Sequence, residues 1–327
     1  MIQFVMFNLR VDLIFPISHR ESIEFVLDFF KAYLNQSGQV DHRRLLLTIH
    51  ILGPKEKFED SGFFFPVFRR SNKFAVFGFR RRKVIYSDNT DVRVKFSKTK
   101  CKVEIKPGNL QNLSNHILDI VLWWTGEMLE RQGYVRVHAA GFVRNGLTQC
   151  IFAQSGTGKS LLSFLLAQAD QAVLGDELLF IKNLQVIPMV IPLRLSEADF
   201  LKWSSVKIEP QKNQLHLRSN STQNKFSISG LTRDPLEQPL FGSLVYLQKE
   251  ASPYPKIKFL MELTLGLGLP QMGQYLIRMD SFLSLIGVAI QRFSFGVNLL
   301  RKDKLNVLVR KDNPISTVQE LLNPPRN

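Results

Sequence analysis

The stretch Ile151-Phe152-Ala153-Gln154-Ser155-Gly156-Thr157-Gly158-Lys159-Ser160 decides how the chain is read. An apolar run ends in a glycine-spaced turn and passes at once into L-L-S-F-L-L-A-Q, apolar at helical spacing, so the order is strand, loop, helix. Such a loop binds phosphate because small residues let backbone N–H groups turn inward on the oxygens, and the helix N-terminus adds positive potential. Gly156 and Gly158 meet that need. In this pattern Lys159 reaches the β- and γ-phosphates and the Ser160 hydroxyl holds Mg²⁺. Ala153 stands where a first glycine is expected, but at a strand end φ is negative and one methyl group is tolerated. The cradle therefore runs from Ala153 to Ser160, through Gln154, Ser155 and Thr157, and its expected ligand is ATP with Mg²⁺.

Two neighbours extend the loop into a site. Downstream, A-V-L-G-D-E-L-L-F-I puts Asp176 far enough past Lys159 for a short helix, a return and a strand, bringing the acids back to the phosphate end of the sheet. Asp176 and Glu177 are the residue types that hold Mg²⁺ and accept the proton of an attacking hydroxyl. Upstream, Asn145-Gly146 is a two-residue hairpin signal, so the strand containing His138 pairs with the strand that feeds the loop. His138 is then a candidate for a place beside the terminal phosphate.

The chain of 327 residues is long enough for two domains, and its 45% apolar and 22% charged residues are globular proportions. A net charge of +15 favours anionic partners without choosing among them. The densest basic run, Phe79-Arg80-Arg81-Arg82-Lys83, interleaves with strand-like F-A-V-F-G-F and V-I-Y, so it reads as a solvated turn and not as a nucleic-acid surface. Cys101 and Cys150 have no metal or redox spacing, and with no signal-peptide pattern at the start a cytoplasmic location is expected. Ser281 to Leu300 is apolar but interrupted by Gln291, Arg292 and Asn298, which argues for a buried helix over a membrane span. The first residues read as a strand, residues 20–35 as a helix, and six short apolar runs up to Lys106 as strands. Pro107-Gly108-Asn109 then marks a boundary, giving a strand-rich α+β N-terminal domain over 1–107 and a catalytic domain over 108–327.

In order, V-H-A-A-G-F, R-N-G-L-T-Q-C-I-F, A-Q-S-G-T-G-K-S, L-L-S-F-L-L-A-Q and G-D-E resemble the HPr kinase/phosphorylase family and its related bacterial serine kinases. The similarity covers roughly residues 110 to 185, and more weakly extends to about 205, where I-P-M-V-I-P-L-R-L is similar to a proline-containing strand of those kinases. It implies an α/β, PEP carboxykinase-like P-loop catalytic fold, with phosphates on Lys159 and the loop amides and Mg²⁺ on Ser160. It further implies that Asp176 is the base toward a serine hydroxyl, that Glu177 assists the metal or the catalytic geometry, and that His138 lies by the transferred group. The chain departs from the family where Glu177 replaces a second Asp, Ala153 a first Gly and Leu161 an acid, and no L-E-V-R-G-like segment follows. The expected acceptor is therefore a serine on a peptide or protein other than HPr.

Two other readings remain at this level, a small-molecule kinase and a module that holds ATP for assembly or sensing without catalysis. The N-terminal part carries no motif; recruiting a partner or packing against its twin in a homo-oligomer is the expectation for it.

Overall fold

The computed structural model describes residues 1–7, 9–30, 33, 45–53, 55–57, 65–71, 74–79, 82–87, 90–97, 99–107, 110–154, 156–176, 178–189, 193–203, 225–228, 239–266 and 282–323. The chain is mixed α/β and divides into two compact units, Met1–Met128 with Pro270–Leu285, and Leu129–Leu269 with Ile286–Asn327. The division falls inside a helix, not at Pro107-Gly108. A Pro-Gly break ends a strand, but a core need not end with it: Leu113, Ile117, Val121 and Trp124, all beyond the break, are buried.

In the first unit β1 (Ile2–Met6) and β2 (Leu9–Ile14) form an antiparallel hairpin. The opening residues, expected as one strand, are thus two, turned at Phe7 with φ 48°. A 3₁₀ turn (Ile17–His19) leads into α1 (Arg20–Phe29), within the 20–35 expected as a helix, with Phe30 and Tyr33 buried beyond it. Residues 31, 32, 34 and 35 lie outside the described residues. There follow β3 (Leu45–Ile51), β4 (Phe65–Ser71), β5 (Phe74–Phe79), β6 (Arg82–Ser87), β7 (Thr90–Phe96) and β8 (Lys100–Lys106), each on one of the six apolar runs. The sheet order is β1-β2-β3-β8-β7-β6-β5-β4, with β3 parallel to both of its neighbours. Strand periodicity explains the burial: along β8, Cys101, Val103 and Ile105 alternate inward. Phe79 pairs with Arg82, and the Arg80 and Arg81 of the basic run lie outside the described residues. The helix α2 (Leu110–Arg131) follows.

The second unit holds β9 (Val135–Val137), β10 (Ala139–Arg144), β11 (Leu147–Ala153), α3 (Lys159–Gln168), β12 (Ala172–Gly175), β13 (Leu179–Lys182) and β14 (Gln185–Pro188). After these come β15 (Leu193–Ser196), α4 (Glu197–Trp203), β16 (Lys225–Ile228), β17 (Leu240–Gln248), α5 (Pro255–Leu265), α6 (Phe282–Arg301), β18 (Leu305–Val309) and α7 (Pro314–Leu322). Its main sheet has the order β12-β10-β11-β17-β14-β13-β9, with β18 also on β17. β11 runs parallel to β17, and β17 parallel to β18. β11 is covered on both faces, which is why it reads as a continuous apolar run. Ile151 and Ala153 join a core with Leu162, Phe164 and Leu165 of α3. Cys150 and Phe152 join another with Tyr246, Phe259 and Leu263.

The stretch expected as a buried C-terminal helix is α6, and among the described residues no helix is long and apolar enough to cross a membrane. Its burial is partial: Arg292 is buried, whereas Ile290 and Phe293 face outward at 62% and 50% exposure.

Candidate functional site

The hairpin that feeds the loop turns at Asn145 (φ 51°) and Gly146 (φ 75°), the positive angles that Asn-Gly supplies, and closes with Arg144 opposite Leu147. β11 ends at Ala153, whose methyl is packed in the α3-side core, so the position that differs from the glycine pattern contributes to packing. Gly156 and Gly158 have φ 80° and 95°, a region L side chains rarely adopt. Thr157 Oγ1 donates to the Gln154 carbonyl at 2.7 Å and closes the turn. Gly158 is the N-cap of α3 and provides no side-chain cap. The first-turn N–H groups are therefore left to a ligand. Lys159 is buried, its Nζ 3.5 Å from the Ala153 carbonyl, and Ser160 follows, half-buried, in the same turn.

His138 was expected within a strand. It lies instead between two, because the chain changes neighbours there: β9 pairs with β13, and β10 with β11 and β12. Asp176 occupies the matching interruption between β12 and β13. Gly141 is opposite Gly175 and Val137 opposite Leu179. Asp176 thus follows Gly175 by one residue, as His138 follows Val137. Ala139 faces Phe152, and His138 and Ala153 are the next residues along the two segments. Ala140 and Ala153 belong to the core that α3 covers. In keeping with this, Ser163 Oγ of α3 donates to Asp176 Oδ1 at 3.4 Å, and Ser163 is one turn beyond Lys159. His138 and Asp176 are 9% and 4% exposed. Ser155 and Glu177 lie outside the described residues.

Among the described residues no three His, Cys, Asp or Glu side chains gather as a metal cluster. A Mg²⁺ bound through phosphate oxygens, water and one or two protein oxygens needs none. Ser160 and Asp176 are of that donor chemistry, and the uncapped, glycine-lined turn fits a nucleotide's phosphates.

Two side chains that the sequence did not single out also meet the loop. Arg310, immediately after β18, donates from Nη1 to the Thr157 carbonyl at 2.9 Å. Glu262 of α5 is buried and accepts a hydrogen bond from Gln154 Nε2. Tyr246 lies near this carboxylate, and its phenol is pushed above its ordinary pKa, chiefly by burial. The available signals were weak: a lone acid in the apolar run F-L-M-E-L, and an arginine at the end of the strand-like V-L-V. No known protein-family model matches the chain, and no curated protein matches it significantly.

Proposed function

We propose that the second unit is an ATP-dependent phosphotransferase acting on a serine of a peptide or protein other than HPr, within a PEP carboxykinase-like P-loop fold. What supports this reading is a positive-φ glycine loop at the end of β11 with a buried Lys159 behind it, and Asp176, which accepts from Ser163 of the same helix α3. In the reaction the serine oxygen forms a bond to the γ-phosphorus as the bridging P–O bond breaks, leaving ADP. The loop amides and Lys159 hold the phosphates, Asp176 accepts the hydroxyl proton, and His138 lies beside the group in transit. Ser160, with Asp176 and Glu177, would hold Mg²⁺, which supplies charge neutralisation on the phosphates when bound.

A second reading, an ATP-holding module without catalysis, draws on one observation: Lys159 and Asp176 are both buried and have protein partners, the Ala153 carbonyl and Ser163 Oγ. Incubation with γ-labelled ATP, Mg²⁺ and extract of the native cells separates the readings. Label on serine is expected, and Asp176→Asn should slow transfer by about 10²- to 10⁴-fold while ATP affinity is kept. Equal transfer by the variant removes Asp176 as the base. Label only in small molecules points to a small-molecule kinase, and ATP binding without transfer to the module.

A further inference from the structure

We propose that Arg310 is a positioning residue that turns the Gly158 N–H into the phosphate cradle. The inference rests on the nucleotide reading above. In a planar trans peptide the carbonyl of one residue and the N–H of the next point in opposite directions. Arg310 Nη1 holds the Thr157 carbonyl at 2.9 Å. The N–H on the other side of that peptide unit, belonging to Gly158, is thereby fixed pointing away from the guanidinium. Without that bond the Thr157 carbonyl loses a donor, and the positive φ of Gly158 lets the peptide plane turn while Thr157 Oγ1 stays on the Gln154 carbonyl.

The arginine is itself well held. Its backbone N–H donates to the Gln248 carbonyl at 2.8 Å, continuing the β17–β18 pairing by one residue. The next residue, Lys311, donates its N–H to Thr317 Oγ1 at 3.0 Å. The guanidinium is thus a strut from the sheet to the glycine turn, and it lies close over Gly158, where a Cβ would sit 3.1 Å from Nη1 and 3.3 Å from Cζ. Gly158 therefore has two reasons to be glycine, its backbone angle and the room it leaves for Arg310. A planar fork with several donors can keep the carbonyl while adding positive potential beside the phosphates, which a point-like ammonium does less well.

The test uses the full chain, with MgATP titrated by calorimetry and the Gly158 amide followed by NMR. Arg310→Met keeps the aliphatic stem over Gly158 and removes the donors. It is expected to weaken MgATP binding by about tenfold or more, and the Gly158 amide resonance, shifted by ATP in the wild type, should move far less even at saturation. Arg310→Lys, which keeps one donor, should recover part of both effects and serves alone if Arg310→Met does not fold. Unchanged affinity in Arg310→Met overturns the proposal. Weaker binding with a full wild-type shift at saturation also overturns it, since Arg310 would then act through charge alone. A wild-type protein that binds no MgATP removes the nucleotide reading and this inference with it, whereas tight wild-type binding with indifferent variants removes only the inference.

Discussion

The two large sheets are built from similar strands and put to different use. In the first unit the central strands β2, β3 and β8 keep one register along their shared length, and every paired residue spends its backbone groups on a neighbour. In the second unit the sheet lapses where β11 ends, between β9 and β10, and between β12 and β13. The residues at those lapses are the loop, His138 and Asp176. A regular ladder leaves no N–H or C=O for anything else, so chemistry collects where the ladder stops and a rigid frame still fixes the ends. The same contrast applies to charge. The first unit pairs Arg10 with Asp12 on a partly exposed strand, at 2.8 Å. The second buries Glu130 between Arg136 Nη2 at 3.0 Å and Arg292 Nη2 at 2.6 Å, with all three side chains under a tenth exposed.

Glu130→Gln is the strongest way to break that contrast. It leaves two buried guanidinium groups facing a neutral amide, and the expected loss of stability is about 3–5 kcal/mol. Asp12→Asn removes a pair whose Asp12 is buried but whose Arg10 reaches solvent, and should cost about 1 kcal/mol. Urea unfolding of the two variants checks both values. Equal losses would mean that burial of charge does not distinguish the units.

The features that were legible in the sequence are the local ones. Asn145-Gly146, the glycines of the loop and the alternation of β3 to β8 each specify structure within a few residues, and the structure has a turn, a loop and strands at those places. What was not legible depends on distant partners. His138 looks like an ordinary strand residue until β13 takes β9 as its neighbour and the ladder breaks beside it. Arg310 stands 153 residues from the carbonyl it holds, and Glu262 stands 108 from Gln154. No periodicity records which strand β17 will pair with, and it is that parallel pairing with β11 and β18 that brings both residues to the loop. The two compact units divide elsewhere than at Pro107-Gly108 for a related reason, since Pro-Gly reports the end of a strand and not the extent of a core.

A glycine pair sharpens the comparison between a turn that only connects and one proposed to bind phosphate. Gly146 and Gly158 both have positive φ, and in either an alanine costs about 1–2 kcal/mol of backbone strain. Around Gly146 an added Cβ meets nothing within 4 Å, so Gly146→Ala should lose stability alone. At Gly158 the Cβ would press on the Arg310 guanidinium, so Gly158→Ala should lose MgATP binding as well as stability. Thermal melts with and without MgATP separate the two. An equal ligand-induced rise in melting temperature for both variants would show that the loop glycine has no more than a turn's role.

The smallest expected effect uses a cysteine buried in each unit. Cys101 on β8 and Cys150 on β11 are 1% and 0% exposed, and burial raises both thiols above their ordinary pKa, disfavouring the reactive thiolate. Neither should react with an aromatic disulfide reagent at pH 8 while its own unit is folded. Labelling across a urea series therefore reports the opening of each core by its own residue. A ligand that binds only the second unit stabilises only that unit by mass action. MgATP at five times its Kd should add about 1 kcal/mol to the protection of Cys150 and leave Cys101 where it was. Equal shifts would mean that the two cores open as one, and a shift confined to Cys101 would move the nucleotide to the wrong sheet. Protection gained at Cys150 alone would tie the ligand to the interrupted sheet without relying on any catalytic activity.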